Sequence, residues 1–244
     1  MPPHTEIVQS PTGLIYRVRR GQPHNALIVM LHGLGGDENA MWIFDHALPR
    51  AATVSAPRAL YPSELGGASW ARSVGRDDLD KVDFQAALKV LPHFVAEMIT
   101  LYAIDPQRVI VMGFSQGAAL SYTYSLLQPD SLRGVVALAG FLPASAKALP
   151  TVSARWLAHT PATPSGPPAL RAGHGRTRAA RQPAYLILHG THDEAVPIDR
   201  AREARSVLES RGASVTYHEH RVGHKVSAQG MKEIAQWIRN RVSA

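Results

Sequence analysis

Ser115 stands between Gly113 and Gly117 in VIVMGFSQGAALSY, residues 109–122, where β-branched residues give way to alanine and leucine. A serine hydroxyl is a weak nucleophile until a base takes its proton, and that base needs an acid to orient it. Two later segments supply those residue types: LILHGTHDEAVP contains Asp193 and HEHRVGHKVS contains His224. Serine, then acid, then histidine is one of three known chain orders for this constellation. The expected chemistry is attack of Ser115 on an acyl carbonyl, with His224 as base and Asp193 holding His224 in place.

Other readings of the same residues stay open. Ser115 in a plain turn, Asp193 as a helix cap with Glu194 or Asp199 as the acid, and His224 on the surface are each compatible with the composition of these segments. Asp199 follows Pro197 in a first helical turn, where a carboxylate suits the helix dipole. Of twelve histidines, only His224 lies between the last strand and the last helix. The spacing of His189, His192 and Asp193 suggests a metal site, but three ligands at one strand end are few and the acid role already accounts for Asp193; no metal is expected.

These side chains need strand ends to carry them. Short continuous apolar runs at 26–33, 108–114, 134–140 and 184–190 suit strands buried on both faces of a parallel sheet. Residues 53–58 and 214–220 read as further strands, and 14–18 alternates as an edge or half-buried antiparallel strand does. Phe84, Leu88, Leu91, Val95, Met98 and Tyr102 mark one face of a long helix containing Pro92. A helix should run from Pro197 to near Gly212 with Ala201, Ala204, Val207 and Leu208 inward, and a last one should bury Ala228, Met231, Ile234, Ala235 and Ile238. Strands alternating with helices predict an α/β fold, a mostly parallel sheet covered on both faces. In such sheets, sites lie beyond the carboxyl ends of the strands.

At 244 residues and 45% hydrophobic content, one large domain over 1–244 is the simplest organisation. The net charge of +7 is local. Residues 131–192 hold seven basic side chains and no acidic one, so the remaining 19 Lys and Arg match the 19 Asp and Glu. The excess sits mainly in a Pro, Ala and Arg-rich stretch at 144–183, whose only aromatic is Trp156. Without aromatics to stack bases, it does not read as a nucleic-acid surface. Absence of cysteine excludes disulfides and thiolate chemistry, and no window is long and apolar enough for a membrane span. The chain reads as soluble and cytoplasmic.

The segments HGLGGDE, GFSQGAAL, HGTHDEAVP and VGHKVS occur in that order. Together they resemble the motifs of the α/β-hydrolase family of bacterial carboxylesterases, lysophospholipases and acyl-protein thioesterases. The resemblance implies the α/β-hydrolase fold, a catalytic triad of Ser115, Asp193 and His224, and no cofactor. It implies an oxyanion hole formed by the backbone N–H of Leu34 beside that of Gln116, the residue after the nucleophile. His32 would brace the Leu34 loop. Trp70 resembles an aromatic of the acyl pocket, although a packed core tryptophan fits as well.

The expected activity is hydrolysis of short- to medium-chain acyl esters, with thioester or lysophospholipid substrates as the alternative. A non-catalytic binding module on the same fold and a metallohydrolase are the competing classes. The partner expected is a small-molecule ester, with no nucleic acid; nothing in the sequence decides for or against a homodimer. Residues 144–183 depart from the family as an insertion, either a lid or a surface excursion. Over the site, its positive field would favour anionic substrates.

Overall fold

The apolar runs become the centre of an eight-stranded sheet. In chain order the strands are β1 (Glu6–Gln9), β2 (Ile15–Arg19), β3 (Leu27–Leu31), β4 (Thr53–Pro57), β7 (Val109–Phe114), β8 (Gly134–Leu138), β9 (Ala184–Gly190) and β10 (Val215–His220), with the small hairpin of β5 (Tyr61–Pro62) and β6 (Ala68–Ser69) outside the sheet. The spatial order is β1-β2-β4-β3-β7-β8-β9-β10. β2 pairs antiparallel with β1 and β4, and every pairing from β4 to β10 is parallel. The computed structural model describes residues 5–72, 79–149 and 182–242.

Each central strand divides its side chains between two cores, as the two-residue period of a strand requires. Val29, Val111, Val135 and Ile187 join one core; Ile28, Ile110, Val136 and Leu186 join the other. The first core is covered by α1 (Gln85–Leu101), α2 (Gln116–Leu127), the short α3 (Ala144–Lys147) and α4 (Ile198–Ser210). The second is covered by α5 (Ala228–Val242) and a 3-10 segment at Ala40–Ala47. This is the α/β-hydrolase fold, with a mostly parallel sheet and helices on both faces.

Local details sharpen these expectations, and one is corrected, at Ala228. Of the two places open to 14–18, β2 takes the half-buried antiparallel one, with β1 pairing outside it. The long helix is α1, with Pro92 inside it as expected. On α5, Ala228 is exposed at the first turn, whereas Trp237 and Val242 join the core beside Ile234 and Ile238. Of the basic stretch expected at 144–183, residues 150–181 lie outside the described residues; its first turn, α3, anchors through Lys147 Nζ, which donates to Glu203 of α4 at 2.8 Å. Among the described residues no helix is long and apolar enough to cross a membrane.

Candidate active site

Four loops leave the carboxyl ends of β3, β7, β9 and β10 and converge. At the end of β7 the chain turns sharply into α2 through Ser115, whose backbone takes φ 53° and ψ −115°. A side chain rarely adopts a positive φ, and its presence at a strand-to-helix turn presents the hydroxyl outward. The flanking glycines make that turn sterically feasible. A Cβ at Gly113 would collide with the backbone of Gly117, and one at Gly117 would collide with the carbonyl oxygens of Leu31 and His32 on the neighbouring strand end.

The loops after β9 and β10 are stitched together before they deliver Asp193 and His224. Thr191 N–H donates to His220 O at 2.8 Å and His192 N–H to Val222 O at 3.0 Å. A Cβ at Gly190 would strike the carbonyl oxygens of Val222 and Gly223, so glycine is what lets the two loops close. Nδ1–H of His224 then donates to Oδ2 of Asp193 at 2.7 Å. With its proton on Nδ1, the neutral ring leaves Nε2 free as an acceptor.

The carboxylate of Asp193 is buried and fully engaged. Its Oδ1 accepts N–H bonds from Ala195 at 3.0 Å and Val196 at 2.8 Å, so the residue also shapes the turn ahead of α4. Asp199 is exposed and pairs with Arg202 at 3.1 Å, and Glu194 is exposed and lines the cavity. Ser115, His224, Leu34 and Gln116 all line one cavity of about 460 Å³, walled further by apolar residues including Leu65, Val82 and Phe141. Ser115 Oγ has no hydrogen-bond partner among the described residues. Such loose geometry is usual in an unbound site, where catalytic hydrogen bonds tighten only with substrate. The His224 ring packs on Phe114, centroids 4.9 Å apart.

Leu34 and Gln116, which both line this cavity, each have a backbone N–H without a main-chain partner among the described residues. Gln116 begins α2, so its N–H has no intrahelical acceptor, and Leu34 N–H meets no backbone acceptor among the described residues. His32 fixes the Leu34 loop with both ring nitrogens: Nδ1–H donates to Gly33 O at 2.7 Å and Nε2 accepts from Ala59 N–H at 3.0 Å. Burial pushes this imidazole below its ordinary pKa, which suits a neutral brace.

Trp70 is not part of the cavity lining. It is 1% exposed, its indole N–H donates to His32 O at 2.9 Å, and its ring lies against the His32 ring. Of the two readings made of Trp70, the structure supports the packed one. Side chains that sequence reasoning passed over finish the bracing. Gln116 Oε1 accepts from Trp70 N–H at 2.9 Å, and its Nε2 donates to Ser69 Oγ at 3.0 Å, tying α2 to the β5–β6 hairpin. Glu38, buried behind the Leu34 loop, takes both arms of Arg58 at 2.6 and 2.7 Å.

His189, whose spacing with His192 and Asp193 suggests a metal site although none is expected, has a packing role: Nε2–H donates to Val196 O at 2.8 Å and lies 3.4 Å from Asp193 Oδ2, while Nδ1 has no partner. Among the described residues no group of three potential ligands could hold a metal ion.

Residues 17–161 match the phospholipase/carboxylesterase family. The chain belongs to that family. Acyl-protein thioesterase 1 of Kluyveromyces lactis is 25% identical over 93% of this chain and 97% of its own length. A probable inactive carboxylesterase of Oryza sativa subsp. japonica is 23% identical over 88% of this chain and 84% of its own. Among solved structures, a carboxylesterase from Mesorhizobium loti superposes with TM-score 0.76 at 19% identity, covering 96% of this chain and 98% of that one. That last likeness concerns the fold. As a member of this family the chain is a hydrolase of the carboxylesterase and acyl-protein thioesterase kind.

Proposed function

We propose that this family member is a serine carboxylesterase of one α/β domain that hydrolyses short- to medium-chain acyl esters through an acyl-enzyme on Ser115. The observation that carries the reading is the 2.7 Å bond from His224 Nδ1–H to the buried Asp193, made at the rim of the cavity that Ser115 also lines. His224 Nε2 takes the Ser115 proton as Oγ adds to the carbonyl carbon, and returns it to the departing alcohol. A water then adds to the acyl-enzyme; His224 takes its proton and hands it back to Ser115 as the acid leaves. The N–H groups of Leu34 and Gln116 receive the oxyanion at each addition, an arrangement in which one donor is worth about 3 kcal/mol of barrier.

Every residue given a role in this reading belongs to one chain. No cofactor enters these steps. A cavity of about 460 Å³ is in the size range of small-ligand sites, and its mostly apolar wall suits an acyl chain. A thioester reading is favoured by the Kluyveromyces relative, which is called an acyl-protein thioesterase. The Oryza relative is called inactive, which makes dependence on Ser115 the decisive property to measure.

The test is hydrolysis of a chain-length series of chromogenic acyl esters, with matched thioesters and a chelator in parallel, by wild type and Ser115→Ala. Activity that peaks on short or medium esters, survives chelator and is lost in Ser115→Ala supports the proposal. Thioesters hydrolysed far faster than esters would move the assignment to a thioesterase. Activity kept by Ser115→Ala would remove the nucleophile.

A further inference from the structure

Glu194 shares the cavity with Ser115 and His224, and among the described residues lining it Glu194 alone carries a formal charge at neutral pH. The acidic neighbours along the chain are engaged: Asp193 by His224, Ala195 and Val196, and Asp199 by Arg202. Glu194 is exposed and has no ion-pair or hydrogen-bond partner among the described residues, so no protein group neutralises its carboxylate there. An unpaired carboxylate on an otherwise uncharged wall adds a negative contribution to the field a substrate meets.

Glu194 directly follows the aspartate that holds His224, and His224 is the group that delivers a proton to the leaving alcohol. We infer that the Glu194 carboxylate meets the alcohol half of a bound ester and that Glu194 is a specificity-determining residue selecting esters whose alcohol carries a cationic group, such as a quaternary ammonium, over neutral and anionic esters of the same shape. This rests on the esterase reading above. It runs opposite to the anion preference expected from the basic stretch at 144–183, most of which lies outside the described residues.

The size of the effect follows from Coulomb's law. Opposite charges about 4 Å apart in a water-filled cavity attract by roughly 1 kcal/mol, which is about a fivefold gain in kcat/KM. That gain should shrink as salt is added, because the cavity is open to solvent.

The experiment uses three esters of one acyl chain: the choline ester, its neutral isostere with carbon in place of the quaternary nitrogen, and a sulfonate-bearing ester of similar length. Wild type, Glu194→Gln and Glu194→Lys are compared at low and high ionic strength, with Ser115→Ala as the blank. The expected wild-type ratio of cationic to neutral kcat/KM is about five, falling with salt. It should approach one in Glu194→Gln and drop below one in Glu194→Lys. Each ratio is taken within one enzyme, so a partial loss of folded protein in a variant does not disturb it, and the salt dependence of wild type needs no variant. A wild-type ratio of one or less, or a ratio that Glu194→Gln leaves unchanged, overturns the inference while Ser115-dependent hydrolysis keeps the esterase reading intact. Failure of wild type to hydrolyse any of the three overturns the esterase reading and this inference with it.

Discussion

Asp193 is an acceptor at both oxygens: Oδ2 takes the Nδ1–H of His224 at 2.7 Å, and Oδ1 takes two backbone N–H groups, from Ala195 and Val196. An asparagine there has only one acceptor oxygen. Two main-chain donors hold that oxygen more strongly than one imidazole does, so Asp193→Asn should turn its NH2 toward His224. The ring would then carry its proton on Nε2, where it cannot accept from Ser115. We expect kcat to fall by about 10⁴, the scale seen when a triad aspartate loses its acceptor. Steady-state kinetics on the best ester, with melting to verify the fold, checks this; a loss under tenfold would mean that Asp193 does not set the tautomer.

The positive φ at Ser115 predicts an exchange of stability for activity. A non-glycine residue in such a conformation is strained by about 1–3 kcal/mol, and glycine is not. Part of that relief is offset by glycine's extra freedom in the unfolded chain, leaving a net gain of about 1 kcal/mol. For a chain of this size that raises Tm by about 2–4 °C. Ser115→Gly should therefore be inactive and more stable, whereas Ser115→Ala, which keeps a Cβ, should be inactive without the same gain. Calorimetry on the two variants separates them, and equal melting temperatures would show that the turn is not strained.

The strands of this fold were legible because each central one reads the same way from either face. Ile28 and Val29, or Ile110 and Val111, serve different cores, so both must be apolar, and the run is continuous. The chemistry was legible because Gly113, Gly117 and Gly190 are where backbone meets backbone, leaving no room for substitution. What could not be read depends on neighbours far along the chain. β1 is four residues at a sheet edge with an alternating, half-exposed pattern, and β5 and β6 are two residues each. Neither is long enough to show a period. His189 and Trp70 are chemically apt as ligand and pocket wall, and only the partners Val196 and His32 reveal them as braces.

Those buried histidines also give the fold an acid limit. Burial pushes both His32 and His189 below the ordinary histidine pKa. A group whose pKa is depressed on folding contributes stability that is complete above the unfolded value, about 6.5, and is lost as pH falls toward the folded one. In that window the unfolded chain binds up to two more protons than the native one. Stability should be flat just above pH 6.5 on this account and then decline by up to about 1.4 kcal/mol per pH unit for each histidine. Chemical denaturation across pH 7.5 to 5 measures the slope. His189→Gln should flatten it; an unchanged slope would assign the acid sensitivity to other groups.

Trp70 tests the line between a brace and a pocket. Its indole N–H is bound to the carbonyl of His32, one residue from Gly33 and two from the Leu34 N–H assigned to the oxyanion. Trp70→Phe keeps most of the ring and removes that donor, leaving a buried carbonyl short of a partner at a cost of about 1–3 kcal/mol. The loop it steadies serves every substrate alike, so kcat should drop by a similar factor across an acyl chain-length series, with the preferred length unchanged. Val82 does line the cavity, and Val82→Phe removes space there, so that variant should shift preference toward shorter chains. If Trp70→Phe moved the chain-length optimum and Val82→Phe did not, the acyl chain would lie on the Trp70 side of the Leu34 loop, and the cavity lined by Ser115 would not be where it binds.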